Sequence, residues 1–421
     1  MTIAFATSKD YAAPSKRVSA GFIVLYALAF FGLWMAIMTP AVMTLALRVN
    51  EIDPANKESN LSWILGVGAI VAMLVNPIVG QLSDRTTSRF GMRKPWMVAG
   101  AALVLVALYL MGTGDLMVVA VGWWLMQLAF NAVLATMTAV MPDQVPEEQR
   151  GVVSGVLGIC LQVGIVGGVY LAQAVGSTFQ MFMAPGLIFV VLLAVFLPSF
   201  EDRRLKTDTM PKLELIALAK SFWIDPRKAP DFAWAFVSRF MLIMGLATLL
   251  TYQVFFLIDK LHFTPDQIPG AMLTATLVTT ATTVIGSLLS GWLSDKMQRR
   301  KFFVWSSTLI FAAGLAVVGM ANDFEGFLWG IAIVGFGQGV YVAVDLALVT
   351  QVLPNPAESA KDLGIFNLAN ALPQTVAPAI APLFLMIGAE GGKGNYIALF
   401  VAAALISAVG ALAVIPIRKV K

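Results

Sequence analysis

Apolar residues come in long, nearly unbroken runs, and polar residues gather in the gaps between them. A helix needs about 20 mostly apolar residues to cross a bilayer. Twelve runs meet or approach that length: roughly 19–48, 61–81, 96–113, 115–141, 151–175, 179–198, 231–258, 267–293, 302–321, 324–353, 361–387 and 395–416. The pattern predicts an all-α membrane protein with twelve transmembrane helices. Runs three and four are joined by a very short turn, as are runs nine and ten, so each pair is expected to form a hairpin. The longest polar segment, 199–230, divides the chain six plus six. The expected organisation is an N-terminal six-helix bundle over 1–198, a linker over 199–230 and a C-terminal six-helix bundle over 231–421. Within the linker, Leu213–Phe222 suits a short helix at the membrane surface, with a plain linker as the alternative.

The two halves repeat. Gly80, Leu82, Ser83, Asp84 and Arg85 follow the second run; Gly291, Leu293, Ser294, Asp295 and Lys296 follow the eighth, 211 positions later. Met141-Pro142, Glu148 and Arg150 are answered near the same offset by Leu353-Pro354, Glu358 and Lys361. Internal similarity of this kind marks many membrane transporters.

Composition supports lipid as the solvent. The chain is 59% hydrophobic and 12% charged, where a soluble domain carries about 25% charged residues. The net charge of +4 is small, and nothing in it points to a nucleic-acid partner. Its placement is informative. With the N-terminus inside, 23 of the 28 cations fall in cytoplasmic segments and four (Arg48, Lys57, Lys260, Lys393) on the other side, leaving Arg239 inside run seven. The positive-inside rule then puts both termini in the cytoplasm. Residues 1–18 have no apolar core of their own, so the first run is expected to act as the membrane signal, with no cleavable signal peptide. Cys160, the one cysteine, lies in an apolar run and reads as helix packing. His262, the one histidine, has no carboxylate grouping to complete a metal site. No metal and no cofactor are expected.

Twelve helices, the six-plus-six repeat and the Gly-x-Leu-x-Asp-Arg segment after the second helix resemble the major facilitator superfamily, over the whole chain. Ser83-Asp84-Arg85-Thr86-Thr87-Ser88-Arg89-Phe90-Gly91 is similar to the loop of sucrose–proton symporters and the wider glycoside–pentoside–hexuronide cation symporters. Two positions differ: Met92 stands where those proteins usually carry another arginine, and Gln127 near where sucrose symporters carry an aspartate. The resemblance implies that helices 1, 4, 7 and 10 line a central cavity. It also implies that Asp84 and Arg85 help latch the halves shut at the cytoplasmic side, with Asp295 and Lys296 as the counterpart and Arg89 in the same loop. The alternative role for these cations is topology alone.

Ionisable groups inside a bilayer are costly and usually functional. The two clear cases are Arg239 in run seven and Asp345 in run ten, each about 12 Å from the inner boundary at 1.5 Å per residue. Equal depth makes them candidates for a pair that couples cation movement to substrate; a static salt bridge is the alternative. Polar uncharged groups gather at similar depth. Gln127 and Asn131 share one face of helix 4, and Gln338 and Tyr341 share one with Asp345 on helix 10. Tyr252 and Gln253 lie further along helix 7, and Asn367, Asn370 and Gln374 on helix 11. Tyr26 and Trp34 on helix 1 offer an aromatic platform. Amides, a phenol, indoles and one ion pair suit a neutral, hydroxyl-rich ligand. For each amide the alternative is a hydrogen bond between helices. Prolines 373, 378 and 382 make helix 11 the most flexible candidate. Gly335-Phe336-Gly337-Gln338-Gly339 is no nucleotide loop, because it lies inside a helix where glycines permit close contact.

These readings converge on a monomeric secondary transporter in the cell (inner) membrane. The favoured substrate is a sugar, with the proton as coupling cation. The alternative is a proton-driven exporter of drugs or metabolites, for which a greasy cavity would speak. No feature suggests an enzyme.

Overall fold

Polar punctuation at the helix starts sets the element boundaries. The computed structural model describes residues 17–204, 227, 229–297, 299–352, 359–389 and 394–417. Among them are twelve helices long and apolar enough to cross a membrane. We number them α1 (Ala20–Ile52), α2 (Lys57–Ser83), α3 (Lys94–Thr113), α4 (Leu116–Gln144), α5 (Glu147–Ala174), α6 (Thr178–Phe196), α7 (Pro230–Asp259), α8 (Ile268–Met297), α9 (Arg300–Met320), α10 (Phe324–Val352), α11 (Ser359–Leu385) and α12 (Tyr396–Val414). The described residues are all helix and connection, as the apolar pattern predicts. The surface helix expected at Leu213–Phe222 lies outside the described residues.

Short polar side chains cap these helices, satisfying amides that have no partner within the helix. Ser19 accepts from the Phe22 amide, Asp115 from Val118, Ser177 from Gln180 and Asn395 from Ala398. α3 starts differently: the Asp202 carboxylate, arriving from beyond α6, accepts from the Arg93 and Lys94 amides at 2.7 Å each. In α1, Pro40 has no amide hydrogen to give, and the helix widens to a π turn over Pro40–Thr44 before resuming at Leu45. α11 runs through Pro373, Pro378 and Pro382 as one helix.

The chain forms two compact units. The first comprises 1–40 and 70–215, the second 41–69 and 216–421. The second unit therefore includes the end of α1 from Ala41, within the π turn, and the start of α2. Within the first unit α1 packs on α5 and α6, and α3 on α4 and α6. Within the second, α10 packs on α8 and α9, and α12 on α7 and α9. Glycine sets the spacing of α10. A Cβ at Gly339 would collide with the Thr283 carbonyl of α8, and one at Gly337 would lie 2.7 Å from the Phe311 amide of α9. Both faces of α10 are thus in backbone contact, as small residues allow when dispersion holds membrane helices together.

Candidate functional site

The second unit holds the charged site. Arg239 of α7 reaches Asp345 of α10, Nη1 to Oδ2, at 3.2 Å. The Asp345 side chain is 8% exposed and that of Arg239 23%. Arg239 has two further partners. Its Nε donates to Asn370 Oδ1 of α11 at 2.9 Å, and its guanidinium carbon lies 4.8 Å from the Phe366 ring centre. Phe366 is held in turn by Phe232 and Phe236 of α7, at 5.6 and 6.4 Å between ring centres. Tyr341, one turn before Asp345 and fully enclosed, hydrogen-bonds that carboxylate. The expected shared depth of Arg239 and Asp345 thus places them in contact. α11 completes the site with an amide and a ring; Phe366 was invisible to a search for polar groups. A planar guanidinium offers a rigid fork of donors at its edge and a flat face for an aromatic ring, which suits a carboxylate, an amide and a phenyl group together.

The other polar candidates scatter. Gln338 is half-buried on α10, and Gln374 is exposed on α11. The Asn367 side chain lies outside the described residues. Gln253 is buried, and Tyr252 is enclosed with its hydroxyl 2.6 Å from that of Ser62 on α2. In the first unit, Asn131 donates to the Gln127 backbone carbonyl at 2.9 Å and accepts from Asn76 of α2 at 3.3 Å. Asn131 is buried and the Gln127 side chain half-buried. Asn76 was missed because it stands alone in an apolar run.

The aromatic platform divides. Tyr26 is fully enclosed: it stacks on Phe196 at 5.1 Å, meets Phe30 edge-on and donates to the Met137 carbonyl. Its surroundings are those of a packing residue, because no face of the ring is left open. Trp34 instead borders a cavity of about 330 Å³ with Phe30, Leu134, Thr138, Met141 and Ser154. That lining is mostly apolar, with two hydroxyls.

The connection after α2 is organised by Arg93, which reading the loop for topology passed over. Arg93 is buried and binds Asp84 at 2.6 Å, Asp143 of α4 at 3.2 Å and Ser83 at 2.8 Å. Asp84 is therefore paired inside its own unit. Arg85 is half-buried; Arg89 is exposed and lies over the Phe90 ring at 4.6 Å. In the second unit, Lys296 is exposed over Trp292 at 5.1 Å, and the Asp295 side chain lies outside the described residues. Among the described residues no group of three or more His, Cys, Asp or Glu is placed to hold a metal ion.

A family model described as Major Facilitator Superfamily matches residues 22–281 and 255–421. The sucrose transport protein SUC3 of Arabidopsis thaliana is 26% identical over 157 residues, which is 32% of this chain and 25% of that protein. The general alpha-glucoside permease of Schizosaccharomyces pombe is 27% identical over 150 residues, 32% of this chain and 26% of the permease. These matches span about a quarter of each relative's length. Among solved structures, the nucleoside transporter NupG superposes with a TM-score of 0.75 at 11% identity, covering 94% of this chain and all of that one. A peptide transporter superposes with a TM-score of 0.74 at 13% identity, covering 96% of each. At such identities the likeness is one of fold.

Proposed function

The chain belongs to the Major Facilitator Superfamily, and from that premise we propose that it is a proton-coupled symporter of a sugar or another neutral polyhydroxylated solute. That it is a multi-pass membrane transporter of small molecules follows from the family. The sugar and the proton are our reading, as is a topology with both termini in the cytoplasm. So are the domains: a bundle over 1–198, a linker over 199–230 and a bundle over 231–421.

The observation that carries the proposal is the Arg239–Asp345 pair. A buried ion pair is poor value as a stabiliser, but it suits a two-state device. With Asp345 ionised, Arg239 is neutralised and the site is closed on itself. A proton on Asp345 removes the ionic partner and leaves Arg239 with Asn370 and Phe366, free to turn toward a hydroxyl-rich ligand. Differential affinity of proton and substrate for the two arrangements shifts the balance between them. An anionic substrate would need more than the one guanidinium. The named activities of the sucrose and alpha-glucoside relatives agree with a neutral sugar. Asp84, Arg85, Arg89, Asp295 and Lys296 are assigned to gating in the same scheme. Gln127, Asn131, Gln253, Gln338, Asn367 and Gln374 are assigned to the ligand, and Asn370 to holding Arg239.

One observation favours a second reading. The cavity beside Trp34 is lined mainly by apolar side chains, which suits a greasier cargo moved outward in exchange for protons. Purified protein in liposomes separates the two. Uptake from a small sugar panel, stimulated by an inward proton gradient, supports the first reading. Its absence, with proton-driven expulsion of an apolar compound, supports the second.

A further inference from the structure

A second buried charge cluster lies in the second unit, away from Arg239. Lys57 opens α2, Asp259 closes α7 and Tyr396 opens α12. The Lys57 ammonium is 2.6 Å from Asp259 Oδ1 and 5.3 Å from the Phe255 ring centre. The Tyr396 hydroxyl is 2.6 Å from Asp259 Oδ2 and 2.8 Å from Glu58 Oε1. Lys57 is 6% exposed and Tyr396 3%.

A phenol has one proton to donate, yet two carboxyl oxygens lie within hydrogen-bond distance of it. Two ionised carboxylates cannot both be satisfied there: one contact would set a lone pair against a lone pair. The shortage of donors is met by one additional proton. Asp259 already accepts from Lys57, so the additional proton is assigned to Glu58. Glu58 then donates to the Tyr396 oxygen, Tyr396 donates to Asp259, and Lys57 donates to the other Asp259 oxygen. Each of the three contacts then has one donor and one acceptor, and donation converges on Asp259 from both ends of the chain Glu58–Tyr396–Asp259–Lys57.

We propose that these four residues form a proton-operated latch that fastens the 41–69 segment to α7 and α12. The fastened state takes up one proton on Glu58, and unfastening releases it. The latch lies at the helix ends opposite the chain termini, the outer face in the topology proposed above, and it rests on that reading for its sidedness alone. Other ionisable groups nearby are committed elsewhere. Tyr252 bonds Ser62, Arg48 pairs with Glu51 and Asp53 accepts from Asn56 and Asn60. Lys260 donates to the Gly319 carbonyl. His262 is exposed in the turn after α7, and His262→Gln serves as its control.

The test uses the full chain in lipid, with Cys160→Ala removing the native thiol and spin labels on Ala55→Cys and Asp266→Cys, both exposed and both in the second unit. Pulsed electron resonance reads their separation from roughly pH 5 to roughly pH 9. The latch predicts a short separation at acid pH. It gives way to a longer one as pH rises, the ratio changing by up to about tenfold per pH unit for one linked proton. Glu58→Gln, whose amide donates permanently, holds the short separation at every pH, and Tyr396→Phe removes most of the response. His262→Gln and Asp345→Asn leave it intact, which keeps failure here distinct from failure of the coupling pair. A flat response in the parent overturns the latch. So does a Glu58→Gln variant that still responds like the parent or opens throughout.

Discussion

Arg93 and Asp84 lie 2.6 Å apart, the arginine buried and the aspartate exposed, and the same guanidinium also holds Asp143 of α4. One cation thus ties the loop after α2 to the end of α4 and, through Asp202 at its own amide, to the chain beyond α6. Removing it strands Asp143 in a mostly enclosed site. Breaking such a pair from one side costs about 3 kcal/mol. Arg93→Met is expected to lower the melting temperature in detergent by several degrees, read by size-exclusion chromatography after heating. Adding Asp143→Asn should recover part of the loss. An unchanged melting temperature would show that Arg93 does not organise this corner.

Gly339 allows α10 to lie against the backbone of α8. Overpacking a tight contact costs about 1–3 kcal/mol, and more when the neighbour is backbone. Gly339→Leu should therefore give little monodisperse protein, whereas Val342→Leu, at an exposed position of the same helix, should behave like the parent.

Tyr26 contributes packing and one hydrogen bond to the Met137 carbonyl. Tyr26→Phe keeps the ring and loses the bond, at a cost of about 1 kcal/mol. Its transport KM should match the parent's. A large rise in KM would return Tyr26 to the substrate site.

The twelve runs, the hairpins and the meeting of Arg239 with Asp345 were legible in the sequence because each follows from one-dimensional spacing. What depends on how a helix is rotated was not. Phe366 and Asn370 join the charged site because α11 turns that face toward α7. Tyr26 and Trp34 share a helix, yet one is enclosed and the other borders a cavity. Helix starts were also hidden where polar residues are satisfied by distant partners. The run expected from residue 61 begins at Lys57, since Lys57 and Glu58 meet Asp259 and Tyr396. Hydropathy reads those two charges as loop.

Asn370 holds the Arg239 Nε and Phe366 lies under its plane. Both therefore position the guanidinium instead of supplying charge. Asn370→Leu should reduce uphill accumulation about tenfold or more while leaving exchange across an ungraded membrane within about twofold, since one hydrogen bond to a charged group is worth about 1.5–3 kcal/mol and about 1.4 kcal/mol is a factor of ten. Equal losses in both assays would mean that Asn370 serves the ligand directly.

In the mechanism proposed above, Asp345 carries the coupling proton beside Arg239. Asp345→Asn, reconstituted in liposomes, is the most direct test. Uphill sugar uptake driven by a proton gradient should disappear while sugar exchange at equal pH continues. Accumulation that survives Asp345→Asn would contradict it.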